Sequence, residues 1–436
     1  MIRNKMHRFR GRIERYSKTM RYCLIALAVI APLAAQEVHP KDVREVAKAG
    51  SSALPTLQEF LKNPDIDVRV ETVKQITEIG TARSLDPLIL GTQDNDPEVQ
   101  IRATDGLVNF YLPGYVKTGF ASSIKRAGTS IKGKFTDTND QVIDAYITVR
   151  PDVIAALGKL ARGSSSMDAR ANAARAVGVL RGQAAIPDLL EAIRSKDTGV
   201  IYESLVAMQK IRDPSAATGI GFLLRDLNQK VQIAAIETVG LLKNKDELPD
   251  LVDALNRTHD AKVRRAALTS IAMMPAESNR ALYTKYLQDK DDNMRAAAAE
   301  GFARLANPSD LPMIQKAWMD EGKTPARLGL AFAQVMLGVR TTSEFSPLQY
   351  LINNLNSAFY RDVAYAYLVE TARDGEVRNA LYPTLETGTK DEKISLARVL
   401  ARSGDQDSIP HLEKLSNDPD AQVAQEGLRA LRTLKR

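Results

Sequence analysis

Apolar residues recur along this chain at the spacing of amphipathic helices. In the segment that begins at Val263, Ala266, Ala267 and Ile271 fall on the same helical face as the first residue. Comparable segments begin with an apolar anchor at Val68, Val99, Ala169, Val200, Val231, Val263 and Met294, and less regularly at Leu328, Val363, Ile394 and Val423. The pattern predicts a chain built from repeated amphipathic helices.

The spacing of these anchors is nearly constant. Between Ala169 and Met294 the steps are 31, 31, 32 and 31 residues, and a fixed period of about 20–50 residues indicates a repeat array. Each unit contains two helices. The first begins near a proline such as Pro249, which a helix tolerates in its first turn. The second follows an acidic cap such as Asp260, whose carboxylate can accept hydrogen bonds from free backbone N–H groups. We predict an all-α fold, an α-solenoid of about eleven helical hairpins.

The hairpins resemble the HEAT-repeat family of α-solenoids, especially the short repeats of phycobilisome-lyase-type proteins. The matching features are Asp-x-x-Val-Arg/Gln at 96–100 and 260–264, the related start at 291–295, the Ala pairs that follow, and Pro-x-Leu in the first helices. They cover roughly 51–112 and 150–436. The resemblance implies that Arg264 and Arg295 form structural rungs between adjacent repeats. Ile201 departs from the pattern, and the repeats around Thr324 and Phe359 lack the acidic cap.

The positive charge is concentrated at the start of the chain. The formal net charge is +7, and residues 1–35 contain eight basic residues and one acidic residue. The remaining 52 basic residues are therefore balanced by 52 acidic residues. Because a nucleic-acid-binding domain usually carries a marked basic excess, we expect no nucleic-acid partner.

The first 35 residues have the pattern of an export signal. Basic residues precede an apolar run over 22–35 that ends in small residues before Gln36. The run is shorter than the about 20 residues that a spanning helix needs. We predict a signal peptide over 1–35, with Met20 as a second candidate start, and a periplasmic or extracellular location. The alternative is an uncleaved signal segment that anchors the chain. Cys23 is the only cysteine, so the mature chain is expected to lack disulfides and thiolate chemistry.

One insertion interrupts the period. From Val99 to Ala169 there are 70 residues, and only one repeat start lies between them, so that about 38 residues are inserted. The predicted organisation is an N-terminal cap with two repeats over 36–112, an insert over 113–149, and repeats three to eleven with a C-terminal cap helix over 150–436. The end of the insert, 141–149, is rich in residues with high β-propensity, and we expect it to run extended along the array.

The insert combines basic and aromatic side chains, which makes it the candidate partner-binding element. Two interpretations remain open. The insert either docks on an acidic protein partner or an anionic membrane surface, or it packs its apolar face on repeats two and three and leaves its lysines solvated. The candidate residues are Tyr115, Lys117, Phe120, Lys125, Arg126, Lys132, Lys134 and Phe135.

No catalytic motif is evident. The histidines after residue 35 are His39, His259 and His411, and none of them precedes a glutamate, so no helical His-Glu metal site is expected. We predict a protein that is not an enzyme, with no cofactor and no metal. The leading hypothesis is an exported scaffold that binds protein partners through the concave face of the second helices and through the insert. The alternatives are a peripheral membrane-associated factor and, implied by the resemblance, a bilin-lyase-like enzyme.

Other aromatic and apolar residues are expected mainly in the core. Trp318 lies in a predicted first helix, where it fits core or groove packing. For Phe359, Tyr360, Tyr365 and Tyr367 the spacing favours core packing, with a peptide-binding groove as the alternative. The last helix is predicted to bury Val423, Leu428, Leu431 and Leu434 and to expose a polar outer face.

Overall fold

The computed structural model describes residues 37–116 and 141–435. These residues form twenty-two α-helices joined by turns and short 3-10 helices, with no β-strand among them. No helix in the described ranges is both long and apolar enough to span a bilayer. The chain divides into two compact units, Met1–Pro87 and Leu88–Arg436. The all-α fold of eleven successive hairpins is therefore confirmed, whereas the predicted signal segment lies outside the described residues.

The first unit contains a cap helix and the first hairpin. Its helices are α1 (Pro40–Ala47), α2 (Leu54–Phe60) and α3 (Ile66–Ile79), and the boundary between the units falls inside α4 (Leu85–Gly91). Val43, Leu57 and Val68 are fully buried. The cap helix predicted near the start of the chain is therefore present, and it contributes Val43 to this core.

The second unit continues the array of hairpins. Its helices are α5 (Pro97–Tyr111), α6 (Pro151–Arg162), α7 (Met167–Val179), α8 (Ile186–Ala192), α9 (Thr198–Ile211), α10 (Gln229–Leu241), α11 (Leu248–Arg257), α12 (Ala261–Ala272), α13 (Arg280–Tyr286), α14 (Asp292–Leu305), α15 (Leu311–Asp320), α16 (Thr324–Met336), α17 (Pro347–Asn353), α18 (Arg361–Thr371), α19 (Gly375–Thr387), α20 (Lys390–Ser403), α21 (Ile409–Leu415) and α22 (Ala421–Leu434). Before α10, two 3-10 helices, Pro214–Ala217 and Gly221–Arg225, replace the first α-helix of the hairpin.

Acidic and Asn caps define the starts of most second helices. Asp260 accepts hydrogen bonds from the backbone N–H groups of Lys262 and Val263 at 2.9 and 3.0 Å, and such a cap stabilises a helix by about 0.5–2 kcal/mol. The second helices α16 and α18 have no side-chain cap, as the sequence predicts. In α18 the predicted anchor is wrong by one residue, because Val363 is exposed and Ala364 is fully buried.

Small residues let successive second helices approach closely. A Cβ atom built on Gly178 in α7 would lie 2.7 Å from the Cα atom of Ala207 in α9. A Cβ atom on Gly329 in α16 would lie 2.8 Å from the carbonyl oxygen of Ala296 in α14. Both distances are to backbone atoms of the neighbouring helix, which cannot shift as a flexible side chain can. If the helices moved apart locally, they would lose the packing around these glycines.

Arginines connect adjacent repeats. Arg264 pairs with Asp289 at 3.7 Å, and Arg295 pairs with Glu321 at 2.7 Å while it donates to the carbonyl oxygen of Asp289 at 2.8 Å. Each arginine therefore reaches an acid near the start of the following second helix. The predicted structural role of these two arginines is confirmed.

The expectation that these aromatic residues pack mainly in the core is only partly correct. Tyr367 is buried, whereas Phe359 is 90 % exposed because it lies in the uncapped turn before α18. Trp318 is half-buried, packs edge to face on Tyr350 at 5.2 Å, and lies 4.3 Å from the Arg327 guanidinium.

The prediction for the last helix is wrong at Leu428, and Leu434 is only half-buried. Leu428 is 47 % exposed, while Gly427 and Ala430 are buried. The buried stripe of α22 is therefore formed in part by small residues that let the helix pack closely. Gly427 itself lies against the backbone of Ser416.

We expect Gly329→Ala to lower the free energy of unfolding by about 2 kcal/mol, because the overpacking cost outweighs the gain of about 1 kcal/mol in helix propensity. The measurement is thermal denaturation followed by circular dichroism. Gly375→Ala is the matched control, since its nearest neighbour is the flexible Arg378 side chain at 3.5 Å. Equal melting temperatures for the two variants would contradict the close-packing argument.

Candidate functional site

The structure describes only one of the eight candidate residues of the insert. Tyr115 is half-buried, and its backbone N–H donates to the carbonyl oxygen of Leu112 at 3.1 Å. Burial and the nearby Asp105 carboxylate raise the pKa of Tyr115, and the Arg175 guanidinium opposes that rise. Tyr115 therefore packs towards the charged pair that Arg175 forms with Glu203. The other candidates, Lys117, Phe120, Lys125, Arg126, Lys132, Lys134 and Phe135, lie outside the described residues.

Residues 141–149, at the end of the insert, are held against the array. Ile143 is buried, and its backbone N–H donates to the carbonyl oxygen of Val179 at the end of α7, at 3.0 Å. The backbone N–H of Arg150 donates to the hydroxyl of Tyr111 at 3.1 Å. This segment contains one short turn and no strand. It lies along the helices, as predicted. It is therefore part of the structural framework.

Asp144 connects this segment to the last helix. Its carboxylate accepts hydrogen bonds from the Arg429 guanidinium in α22 at 2.8 and 2.9 Å, and the closest ion-pair distance is 2.6 Å. The hydroxyl of Tyr146 donates to the same carboxylate at 2.9 Å. The two partners are 285 residues apart in sequence. Within the second unit, the array therefore turns back far enough for its last helix to reach the segment before α6.

Two arginines lie at the C-terminal ends of second helices in a left-handed backbone conformation. Arg181 (φ 50°) follows α7, and Arg212 (φ 58°) follows α9. Gly80 occupies this conformation after α3. A non-glycine residue held there costs about 1–3 kcal/mol, and a cation near a helix C-terminus recovers only about 0.3–1 kcal/mol. Lys243 and Ala306 occupy the same conformation after α10 and α14, so the backbone at these positions does not by itself call for arginine.

A third arginine lies near this pair. Arg402 is in the last turn of α20, with its guanidinium carbon 5.7 Å from the ring centroid of Tyr365. Surrounding protein desolvates Arg181, and together with the positive charges of Arg402 and Arg212 it lowers the pKa of that guanidinium. Burial and the charge of Arg402 likewise lower the pKa of Arg212. Arginines from three repeats therefore act on one another electrostatically.

We call Arg181, Arg212 and Arg402 the arginine cluster. All three side chains are solvent-accessible. Within the part of the chain that the structure describes, none of the three guanidinium groups forms an ion pair or a hydrogen bond to a carboxylate. The ladder residues Arg264 and Arg295, in contrast, are paired. The cluster is thus a local positive region in a chain whose charges balance over residues 36–436.

A buried network of charges lies between α14 and α18. Glu300 accepts hydrogen bonds from Arg304 at 2.9 Å and from the Tyr367 hydroxyl at 2.7 Å. Arg304 also donates to Glu370 at 2.9 Å. Burial raises the pKa of Tyr367; burial acts to lower the pKa of Arg304, but the two carboxylates hold it above its usual value. Because these groups satisfy one another, the network functions as a structural link across α16.

Among the described histidines, His411 is packed against an aromatic ring, whereas His39 and His259 are exposed. The His411 ring stacks on Tyr382, with centroids 3.8 Å apart and planes at 12°. Among residues 37–116 and 141–435, no group of three or more His, Cys, Asp or Glu side chains is placed to hold a metal ion. The turn at 163–166 is also structural, since Ser166 caps α7 and Ser164 bonds to Gln100 at 3.0 Å.

Sequence reasoning missed the arginine cluster. A signal for part of it was present, because Arg181, Arg212 and Lys243 occupy the same position in three successive repeats, 31 residues apart. Lys243 also has a positive φ of 55°. The approach of Arg402 carried no such signal, because it depends on how far the array turns over several repeats.

Comparison with known proteins identifies the repeat type. Residues 220–284, which include α10 to α12, match the family described as HEAT repeats. No curated protein matches the chain in sequence.

Three solved structures are similar to this chain at low sequence identity. The complex of CpcE and CpcF of phycocyanin lyase from Nostoc sp. PCC7120 is 15 % identical, with 61 % of this chain and 92 % of that chain covered and a TM-score of 0.36. An engineered protein is 17 % identical, with 88 % and 99 % covered and a TM-score of 0.33. A structure of Kap95p with RanGDP is 13 % identical, with 90 % and 53 % covered and a TM-score of 0.43.

We expect Glu300→Gln to lower the free energy of unfolding by about 3 kcal/mol, because breaking a buried charge pair leaves its partners uncompensated. Urea denaturation measures the change. The control is Glu376→Gln, which removes an exposed carboxylate that pairs with Arg340 at 3.0 Å and should change stability by less than about 1 kcal/mol. A Glu300→Gln variant as stable as the control would show that the network adds no stability.

Asp144→Asn is expected to speed amide hydrogen exchange in 141–149 and at the end of α22 while the melting temperature changes little. The ion pair is partly exposed, and such pairs contribute about 0–1 kcal/mol. Hydrogen exchange with mass spectrometry is the measurement, and Arg429→Gln should give the same pattern. Glu413→Gln, which breaks the exposed pair with Lys435, is the control. Exchange in 141–149 that is unchanged in Asp144→Asn would exclude a role for this pair in holding the segment.

Proposed function

Because the chain is a HEAT-repeat protein, we propose that it is an exported, non-catalytic scaffold that binds protein partners. Repeat arrays of this kind present extended surfaces to other proteins. The partner surface in this proposal consists of the second helices and their C-terminal ends, together with residues 117–140 of the insert. The mature chain would act in the periplasm or outside the cell.

The proposal rests on the contrast between paired and unpaired charged side chains in the second unit. Arg264 and Arg295 pair with acids of the next repeat, and the buried network of Glu300, Arg304 and Glu370 is internally satisfied. These groups hold the stack together. The arginine cluster, in contrast, is solvent-accessible and lacks carboxylate partners among the described residues. In this proposal the paired charges stabilise the array and the arginine cluster is available to a partner. This arrangement suits binding better than catalysis.

Export is supported by the sequence of residues 1–35. A basic segment precedes an apolar run that ends in small residues before Gln36. The absence of cysteine after Cys23 is compatible with an oxidising compartment, because no thiol is available for unwanted disulfides. The proposal therefore includes removal of the signal segment next to Ala35.

The structure sharpens the design of a partner-capture experiment. A deletion of the whole insert, 113–149, would remove the buried Ile143 and the Asp144 ion pair and would damage the framework. Replacing only 117–140 with a Gly/Ser linker leaves these contacts intact. We expect cross-linking in the envelope of the native host to capture a protein partner with the full chain, and less of it with the replacement variant.

The control variant replaces Lys117, Lys125, Arg126, Lys132 and Lys134 by glutamine, which removes charge while it keeps the length of the insert. Mass spectrometry of the captured chain should find an N-terminus at Gln36. Capture of no protein from the envelope, or recovery of the chain from the cytoplasm alone, would contradict the scaffold proposal. Salt-sensitive co-sedimentation with anionic vesicles, lost in the control variant, would favour a membrane-associated role instead.

A further inference from the structure

The C-terminal ends of second helices converge in one region of the second unit. Arg181 and Arg212 follow α7 and α9, and Arg402 lies in the last turn of α20. The hydrogen bond from Ile143 to Val179 fixes residues 141–149 beside the end of α7, and the bond from Arg429 to Asp144 then brings α22 to the same place. Residues from early and late repeats therefore surround this region.

The arginine cluster lies in this region, and no carboxylate in the described ranges 37–116 and 141–435 pairs with its guanidinium groups. Desolvation and the neighbouring cations disfavour the charged form of Arg181 and Arg212, whose pKa values are lowered. A bound anion would remove this repulsion, because guanidinium groups form strong charge-assisted hydrogen bonds with carboxylates. The electrostatic environment of the cluster therefore favours a negative ligand.

The aromatic ring of Tyr365 lies beside the cluster. Its ring lies 5.7 Å from the Arg402 guanidinium carbon, at a distance suited to a cation–π contact. Burial raises the pKa of Tyr365, and the charges of Arg402, Arg398 and Arg212 oppose the rise. The hydroxyl group therefore stays neutral at physiological pH and can donate a hydrogen bond to a ligand.

We propose that Arg181, Arg212, Arg402 and Tyr365 bind an acidic segment of a partner protein, with its Asp or Glu carboxylates on the three guanidinium groups. The inference deepens the proposed scaffold function, because it names the chemistry of the partner. The site is absent from any single repeat, because its residues lie in or directly beyond α7, α9, α18 and α20, the second helices of four repeats.

The surroundings favour carboxylates over phosphate groups. The three guanidinium groups extend from three different helix ends, where the backbone carbonyl groups carry partial negative charge. Asp144 and Glu426 add two carboxylates nearby, paired with Arg429 and Arg398. A compact dianion would be repelled by these groups, whereas single carboxylates spaced along an extended peptide can each meet one arginine.

The test is fluorescence anisotropy of a labelled decaglutamate peptide with the full chain. We expect binding that weakens by about 100-fold in the Arg181→Gln, Arg212→Gln, Arg402→Gln variant, because charge-assisted hydrogen bonds are lost. The matched control changes Arg83, Arg194 and Arg373 to glutamine, which alters the net charge equally at exposed positions elsewhere. A decaglutamine peptide should not bind.

Several results would overturn the inference. These are equal affinity of decaglutamate for both triple variants, no binding to the unaltered chain, or tighter binding of a thymidine oligonucleotide or of inorganic pyrophosphate. Circular dichroism verifies folding, and the single variant Arg402→Gln, with an expected loss of about tenfold, is used if the triple variant unfolds. Capture of an envelope partner without decaglutamate binding would leave the scaffold function standing and reject only this site.

Discussion

The close approach of successive second helices is the constraint on which the rest of the second unit depends. A single hairpin cannot bury its apolar face, so each repeat needs its neighbour. Where Gly178 meets Ala207 and Gly329 meets Ala296, backbone atoms are in contact and no side chain fits between them. The distance between repeats is therefore set by the backbone. Ladder pairs such as Arg264 with Asp289 can then form at a fixed spacing, but packing carries more of the stability because partly exposed pairs contribute only about 0–1 kcal/mol.

Some contacts in this unit go beyond neighbouring repeats. Arg304 in α14 pairs with Glu370 in α18 across α16, and Asp144 pairs with Arg429 near the end of the chain. In an array with only nearest-neighbour contacts, stability is approximately a sum of independent terms and unfolding can begin at either end. Contacts that bypass a repeat link distant parts of the stack. The second unit should therefore respond to a local change more cooperatively than a simple linear array.

The sequence predicts most of the fold because most of its determinants are local. An Asp cap and an apolar anchor three residues later depend only on one helix and its neighbour, so the period identified Val263 and Met294 correctly. The predictions at Val363 and Phe359 failed where the acidic cap is missing, since the start of the helix is then unmarked. The pairing of Asp144 with Arg429 could not be predicted, because it depends on the turn accumulated over many repeats.

The arginine cluster shows how periodicity and curvature combine. The 31-residue period places a basic residue after α7, α9 and α10, at positions whose left-handed backbone would suit glycine. The repeat pattern alone therefore predicts three equivalent basic residues. Positions that depart from local conformational preference commonly have a function. Curvature then distinguishes them, because the cation that acts on Arg212 is Arg402 rather than Lys243. The charge network between α14 and α18 lies on the path that brings Arg402 back towards Arg181. The distance between the arginines is thus coupled to the packing of α14 and α16, which contribute no residue to the site.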